Sequence, residues 1–218
     1  TADLAGSRYR PLDPINAGNF SQLEVAWRFK TDAIGNRPEF KLEGTPLEVG
    51  GVVYATAGSR RGVIALDAAT GELMWVHSER EGARGAAVPR QWSGRGLSYW
   101  SNGDERRILY VTPGYRLVAL DARTGQPIPG FGTGGAVDLK QDFDQDIYPD
   151  LVTGEAGLHA APVIAGNTII VRSAFREGFT PARKANTKGY VRAYDVRTGK
   201  RLWTFHTIPK YREFGYET

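Results

Sequence analysis

The chain contains no cysteine. Disulfides and thiolate metal sites are excluded, and redox chemistry says nothing about the compartment. Its three histidines, His77, His159 and His206, are far apart and show no metal-ligand spacing. No apolar run approaches the ~18 to 20 residues of a membrane span. No signal peptide is recognisable either, although Thr1 is not an initiator Met, which is compatible with a processed chain. A field of one sign is also missing. Lys and Arg are dispersed among Asp and Glu for a net charge of +4, and even the densest basic stretch, 172 to 188, holds Glu177. That pattern predicts a mixed solvated surface and no nucleic-acid partner.

What is present is a repeat. Ala-Leu-Asp-Xaa-Xaa-Thr-Gly occurs at Ala65–Gly71 and Ala119–Gly125, and at Ala193–Gly199 with Tyr in place of Leu. Apolar and polar residues alternate before each copy, and two copies run on into Trp75 and Trp203. This predicts a strand, a tight turn and a second strand, with Gly71, Gly125 and Gly199 at positive φ and the three Asp side chains bonded across the turn. Asp67, Asp121 and Asp195 stand 54 and 74 residues apart, so each period holds more than one hairpin. Residues 46–57, 107–112 and 161–173 supply further strands, and 23–31 resembles the Trp-bearing strand of one more unit. About four strands per period, with no amphipathic helix between them, predicts an all-β fold of β-propeller blades. The 218 residues, 41% hydrophobic, are ample for a core and are read as one domain.

Two motif matches do not survive inspection. Gly130, Gly132 and Gly135 fit G-x-G-x-x-G but follow Pro129, with no helix after them to face a pyrophosphate. Asp142, Asp144, Asp146 and Asp150 imitate a calcium loop, yet Ile147 and Thr153 occupy the positions that need Gly and Glu.

With its flanks, the repeat resembles the tryptophan-docking motif of the pyrroloquinoline quinone (PQQ) dependent dehydrogenases, in which a Trp of one blade stacks on the next blade's turn. Residues 7–16, 42–54 and Gly94–Trp100 extend the resemblance over essentially the whole chain. It is closer to the glucose and sugar branch than to the methanol branch, whose adjacent-cysteine disulfide has no counterpart here. The resemblance implies an eight-bladed propeller with PQQ on its axis, of which this chain covers roughly the first three to four blades as the N-terminal part of a longer dehydrogenase.

The remaining implications also come from that family. Arg95 matches the arginine that reaches the quinone. Glu43 falls at a cofactor-bonding glutamate; read from the residues alone it is equally a strand-edge Glu paired with Lys41 or an Arg. His159, ahead of Pro162, stands where relatives have a Thr donating to PQQ. Gln91 stands where the membrane glucose dehydrogenase has a His beside the ring. Ser173, or Ala174 in the alternative register, falls at the cofactor-binding serine, and Glu177 at the first calcium ligand or among surface arginines. The implied activity is oxidation of an alcohol or sugar hydroxyl by PQQ with calcium, electrons passing to a quinone or cytochrome c, in the periplasm. The family's catalytic Asp belongs to blades beyond the third repeat, so no catalytic base is assigned and the chain by itself is expected to be poorly active. The rival readings are a non-catalytic PQQ-like repeat propeller acting as a protein-binding scaffold, and a lectin-like sugar binder using Trp92, Tyr99 and Trp100.

Overall fold

The computed structural model describes residues 13–35, 39, 41–88, 91–141, 150–154, 156–173 and 189–217. The three repeated turns fold alike. One carboxylate oxygen of Asp67 accepts from the N–H groups of Ala69 and Thr70 and from the Thr70 hydroxyl, at 2.8 to 3.0 Å. Asp121 and Asp195 hold their own turns in the same way. Gly71, Gly125 and Gly199 then donate their N–H to the Asp carbonyl, with φ of 73°, 70° and 70°. An L side chain is strained in that region and glycine is not. The bonds from Thr70 and Ala69 hold the Asp67 carboxyl below its usual range.

Around these turns lie three four-stranded antiparallel sheets, each in sequence order. The first contains β1 (Leu47–Val49), β2 (Val52–Ala57), β3 (Gly62–Asp67) and β4 (Leu73–His77). The second contains β5 (Ser98–Asn102), β6 (Glu105–Val111), β7 (Arg116–Asp121) and β8 (Ala136–Asp138). The third contains β9 (Val163–Ala165), β10 (Thr168–Arg172), β11 (Val191–Asp195) and β12 (Arg201–Phe205). The sheets pack face to face. On β6, Ile108 and Tyr110 join Tyr54, Val63 and Ala65 of the first sheet, whereas Leu109 and Val111 join Ile169, Val171 and Tyr194 of the third. Successive side chains point to opposite faces, so a strand buried on both sides feeds two cores in alternation.

Tryptophans lock the faces together. Trp27 donates its indole N–H to Ala68 C=O at 3.0 Å and lies against Gly71; Trp75 donates to Ala122 C=O at 3.2 Å and lies against Gly125. Residues 23–31, expected as a strand, belong to none of the three sheets, yet their Trp27 takes the docking position. The third joint differs. After Gly125 the chain runs into Gln126–Pro129 instead of Leu-Trp; Pro127 makes only a single bridge to Leu120, and the fourth strand forms at β8 after a loop. Pro lacks the N–H that a ladder needs. Val137 and Phe131 therefore cover Gly199 in place of an indole, and Gly132 N–H donates to Thr198 C=O at 2.9 Å. This is the role of Gly132, one of the glycines that imitate a dinucleotide loop.

Among the described residues one short α-helix, α1 (Gly82–Ala87), interrupts the expected all-strand pattern. It has no apolar stripe to announce it. Arg84 anchors it, donating Nε to Gly114 C=O at 2.7 Å and both terminal nitrogens to the Asp138 carboxylate.

Candidate cofactor site

Antiparallel order within each sheet puts the start of its first strand and the end of its second at the same end. Glu43 lies four residues before β1, Arg95 three before β5 and His159 four before β9. The main chain joins these approaches laterally: Thr45 N–H donates to Arg95 C=O at 3.4 Å, and Arg95 N–H to His159 C=O at 2.8 Å. Ser98 Oγ also donates to Pro162 C=O. Three corresponding positions of three sheets thus converge at one place, at the first-strand edges.

Local backbone explains the convergence. Gly94 and Gly96 flank Arg95 at φ of 69° and 123°. A Cβ on Gly94 would lie 2.8 Å from Arg61 Nε and 3.1 Å from His159 C=O, and one on Gly96 would lie 3.1 Å from Thr45 C=O. Only side-chain-free residues let the loop pass so close to its neighbours.

The side chains form a charged group. Glu43 Oε1 is 3.3 Å from Lys41 Nζ, and Glu43 Oε2 is 3.6 Å from His159 Nε2, an ion pair when the imidazole is protonated. The Lys41 hydrogen bond holds the Glu43 carboxyl below its usual range; slight desolvation opposes this, and the charges of His159 and Arg95 add to it. Arg95 is exposed, and among the described residues its guanidinium makes no hydrogen bond or ion pair.

Gln91 and Ser173, also expected at the site, lie at the same end but outside this group. Gln91 donates its amide to Ala86 C=O at 2.9 Å and lines a cavity of about 520 Å³ with Ser59, Arg60, Glu79, Arg80 and Pro113. Ser173, immediately after β10, is engaged with the Tyr190 backbone, accepting from its N–H at 3.2 Å. Glu177 lies outside the described residues, as do Ala174, Asp142, Asp144 and Asp146. Asp150 caps its own turn through Val152 and Thr153. Among the described residues no cluster of three or more His, Asp or Glu could hold a metal. His77 and His206 are each paired with a glutamate, Glu79 at 3.0 Å and Glu213 at 2.5 Å.

Sequence reasoning missed Arg61. It is 2% exposed and bonds the second sheet and the loops before β5 and β9: Nε donates to Trp92 C=O at 3.0 Å, and one terminal nitrogen to Val111 C=O at 2.9 Å and to Leu158 C=O at 2.6 Å. Burial lowers its pKa to about 10, a shift that Glu81 and Tyr110 oppose. Its partners are 31 to 97 residues away, which no local pattern reveals.

Four-stranded sheets locked face to face at their Gly turns define blades of a β-propeller, and the charged residues gathered where their first strands converge make that end the candidate ligand site. The chain belongs to the family described as the PQQ glucose/ethanol/alcohol dehydrogenase β-propeller domain, which matches residues 1–217. It is similar to the dehydrogenase subunit of the alcohol dehydrogenase (quinone) of Gluconobacter oxydans (strain 621H), 33% identical over 93% of this chain and 23% of the relative. It is equally similar to the quinoprotein glucose dehydrogenase of the same organism, 33% identical over 92% and 26%. Among solved structures, the quinohemoprotein alcohol dehydrogenase of Comamonas testosteroni superposes with a TM-score of 0.70 at 25% identity, covering 95% of this chain and 26% of that one. The chain thus spans about a quarter of the length of the curated relatives it matches. Alcohol and glucose relatives match at the same identity, so these similarities do not separate the two substrate classes.

Proposed function

We propose that this chain contributes one wall of the PQQ site of a dehydrogenase that oxidises an alcohol or sugar hydroxyl. The observation that carries the reading is Arg95: an exposed cation whose guanidinium makes no hydrogen bond or ion pair among the described residues, held by two main-chain bonds at the convergence of three sheets. PQQ carries three carboxylates and an ortho-quinone, and a site for it needs fixed cationic donors. Arg95, Lys41 and His159 supply them around a single carboxylate, and that donor set fits the group. Glu43 alone would repel a tricarboxylate. Lys41 and His159 flank it and offset that repulsion.

In this reading Arg95 donates to the quinone oxygens, His159 orients the cofactor from the opposite approach, and Glu43 accepts from it or positions Lys41. Gln91 and Ser173 border the site, and Glu177 ligates calcium. When bound, PQQ supplies the two-electron acceptor for the hydride of the substrate. The Gly-flanked loop brings Arg95 to that acceptor without a side chain intervening. Removal of the substrate proton is assigned to no residue of this chain. A dehydrogenase is favoured over a scaffold because the matching relatives carry dehydrogenase names and a scaffold has no need of a charge at the convergence. We extend the reading to quinone or cytochrome c as electron acceptor, to further blades as structural partners and to a periplasmic location.

The test is titration with PQQ followed by absorbance, together with alcohol- or glucose-dependent dye reduction by the loaded protein. Saturable binding, weakened by Arg95→Ala, is expected. Absence of saturable binding in the full chain overturns the reading.

A further inference from the structure

The turn joining the second and third strands takes the same form in the first two sheets. It ends on Arg61 in the first and Tyr115 in the second, both in the left-handed region, at φ of 53° and 64°. Both close the turn with an N–H to the carbonyl three residues back, Gly58 or Thr112. Both are almost wholly buried, and both reach sideways into the following sheet. Tyr115 OH donates to the carbonyl of Arg172, the last residue of β10, at 3.0 Å; Arg61 donates to that of Val111, the last residue of β6, at 2.9 Å. The two side chains therefore make the same joint between sheets, and a tyrosine suffices for it.

Arginine at the first joint does more. It also donates to Trp92 C=O and Leu158 C=O. Leu158 immediately precedes His159. Trp92 is itself held at a positive φ of 69°, two residues before Gly94 at 69°, in the loop that presents Arg95. A non-Gly residue in that region persists only where its surroundings impose it. The Arg61 guanidinium is the group that grips its carbonyl, and planar fixed-fork donors suit such multiple grips.

We propose that Arg61 is the positioning residue of this site: it clamps the left-handed Trp92–Gly94 loop to the Leu158–His159 segment and so sets where Arg95 and His159 meet the bound cofactor. The inference rests on the PQQ reading above. The Arg61 bonds to Trp92, Val111 and Leu158 end on main-chain carbonyls, so it acts on Arg95 and His159 through the backbone. Misplacing a binding group by a fraction of an ångström is costly wherever the ligand is held by fixed donors.

The decisive variant is Arg61→Tyr in the full chain, because Tyr115 shows that the turn and the joint accept tyrosine. It keeps the bond to the next sheet and loses both grips on the loops. Thermal unfolding of the PQQ-free protein is expected to stay near that of the parent, while the Kd for PQQ rises about tenfold or more, and the absorbance band of the bound quinone shifts. Arg61→Lys, which keeps the charge but not the fork, is expected to fall between the two. Should Arg61→Tyr fail to unfold cooperatively, Arg61→Lys carries the same comparison. Binding of PQQ by the folded variants as tight as by the parent, while Arg95→Ala loses it, overturns the inference and leaves the cofactor reading intact. No saturable binding by the parent itself overturns that reading, and this inference with it.

Discussion

Trp75 rests on Gly125 so closely that a Cβ there would lie 2.5 Å from the indole ring, while the indole N–H bonds to Ala122 C=O. The joint therefore demands glycine twice, for its φ and for its lack of a side chain.

Gly125→Ala is expected to destabilise the chain by about 3 kcal/mol, the sum of left-handed strain and a displaced indole. Gly103→Ala separates the two effects. Gly103 has a φ of 60° but nothing within 4 Å of its virtual Cβ, so strain alone should cost about 1 to 2 kcal/mol. Urea unfolding of both variants measures the difference; equal losses would mean that the indole contact contributes nothing.

The Arg84–Asp138 pair ties α1 to β8 with side chains only 9% and 20% exposed. Desolvation raises the Asp138 pKa, but the Arg84 hydrogen bonds and the Lys140 N–H outweigh it and leave the carboxyl below its usual range. A carboxyl depressed in the folded state stabilises above its unfolded pKa, about 4, and loses that contribution as pH falls through the folded value. Asp138→Asn should therefore cost about 3 kcal/mol near neutrality, with the gap to the parent closing below pH about 4. Unfolding midpoints at several pH values test this; a gap that persists unchanged into acid would sink it.

Lys140, 3% exposed, donates to Gly154 C=O at 2.7 Å. Burial, then repulsion from Arg84, lowers its pKa to about 8. Its unfolded value is about 10.4, so between these two the unfolded chain binds more protons and stability rises with pH. Relative to Lys140→Met, the parent should gain stability from pH 8 to 10 and stay level below 7. Parallel denaturant titrations at pH 7 and 9.5 decide the matter, and a parent that loses ground at the higher pH would contradict it.

Trp203 occupies the place on β12 that Trp75 occupies on β4, but it is 45% exposed. Trp203→Phe should change stability by less than about 0.5 kcal/mol, against about 3 for Trp75→Ala. It should also remove the fluorescence most readily quenched by iodide.

The docking turns are legible in the sequence because Asp, Thr and Gly act within five residues, and a local pattern can carry a local bond. β5 is not legible. Ser98, Tyr99, Ser101 and Asn102 carry no β-branched alternation, and the strand exists through its pairing with β6. The α1 helix and the buried Arg61 are hidden for the same reason, since their anchoring partners lie 30 to 97 residues away. The convergence of Glu43, Arg95 and His159 follows from the register of three sheets, and their identity as a group came from the family resemblance. Chemistry at Ser173 was not readable from residues alone, because its hydroxyl is engaged with the Tyr190 backbone.

The tryptophan joint has a direction. Each joint sets a plug, an indole at Gly71 and Gly125 and the Val137–Phe131 pair at Gly199, against a glycine socket on the following turn, so joints of this kind add only head to tail. Head-to-tail contacts either close into a ring or continue without end. The three bends at Gly71, Gly125 and Gly199 therefore carry polarity as well as adhesion: they fix the order in which one sheet follows another.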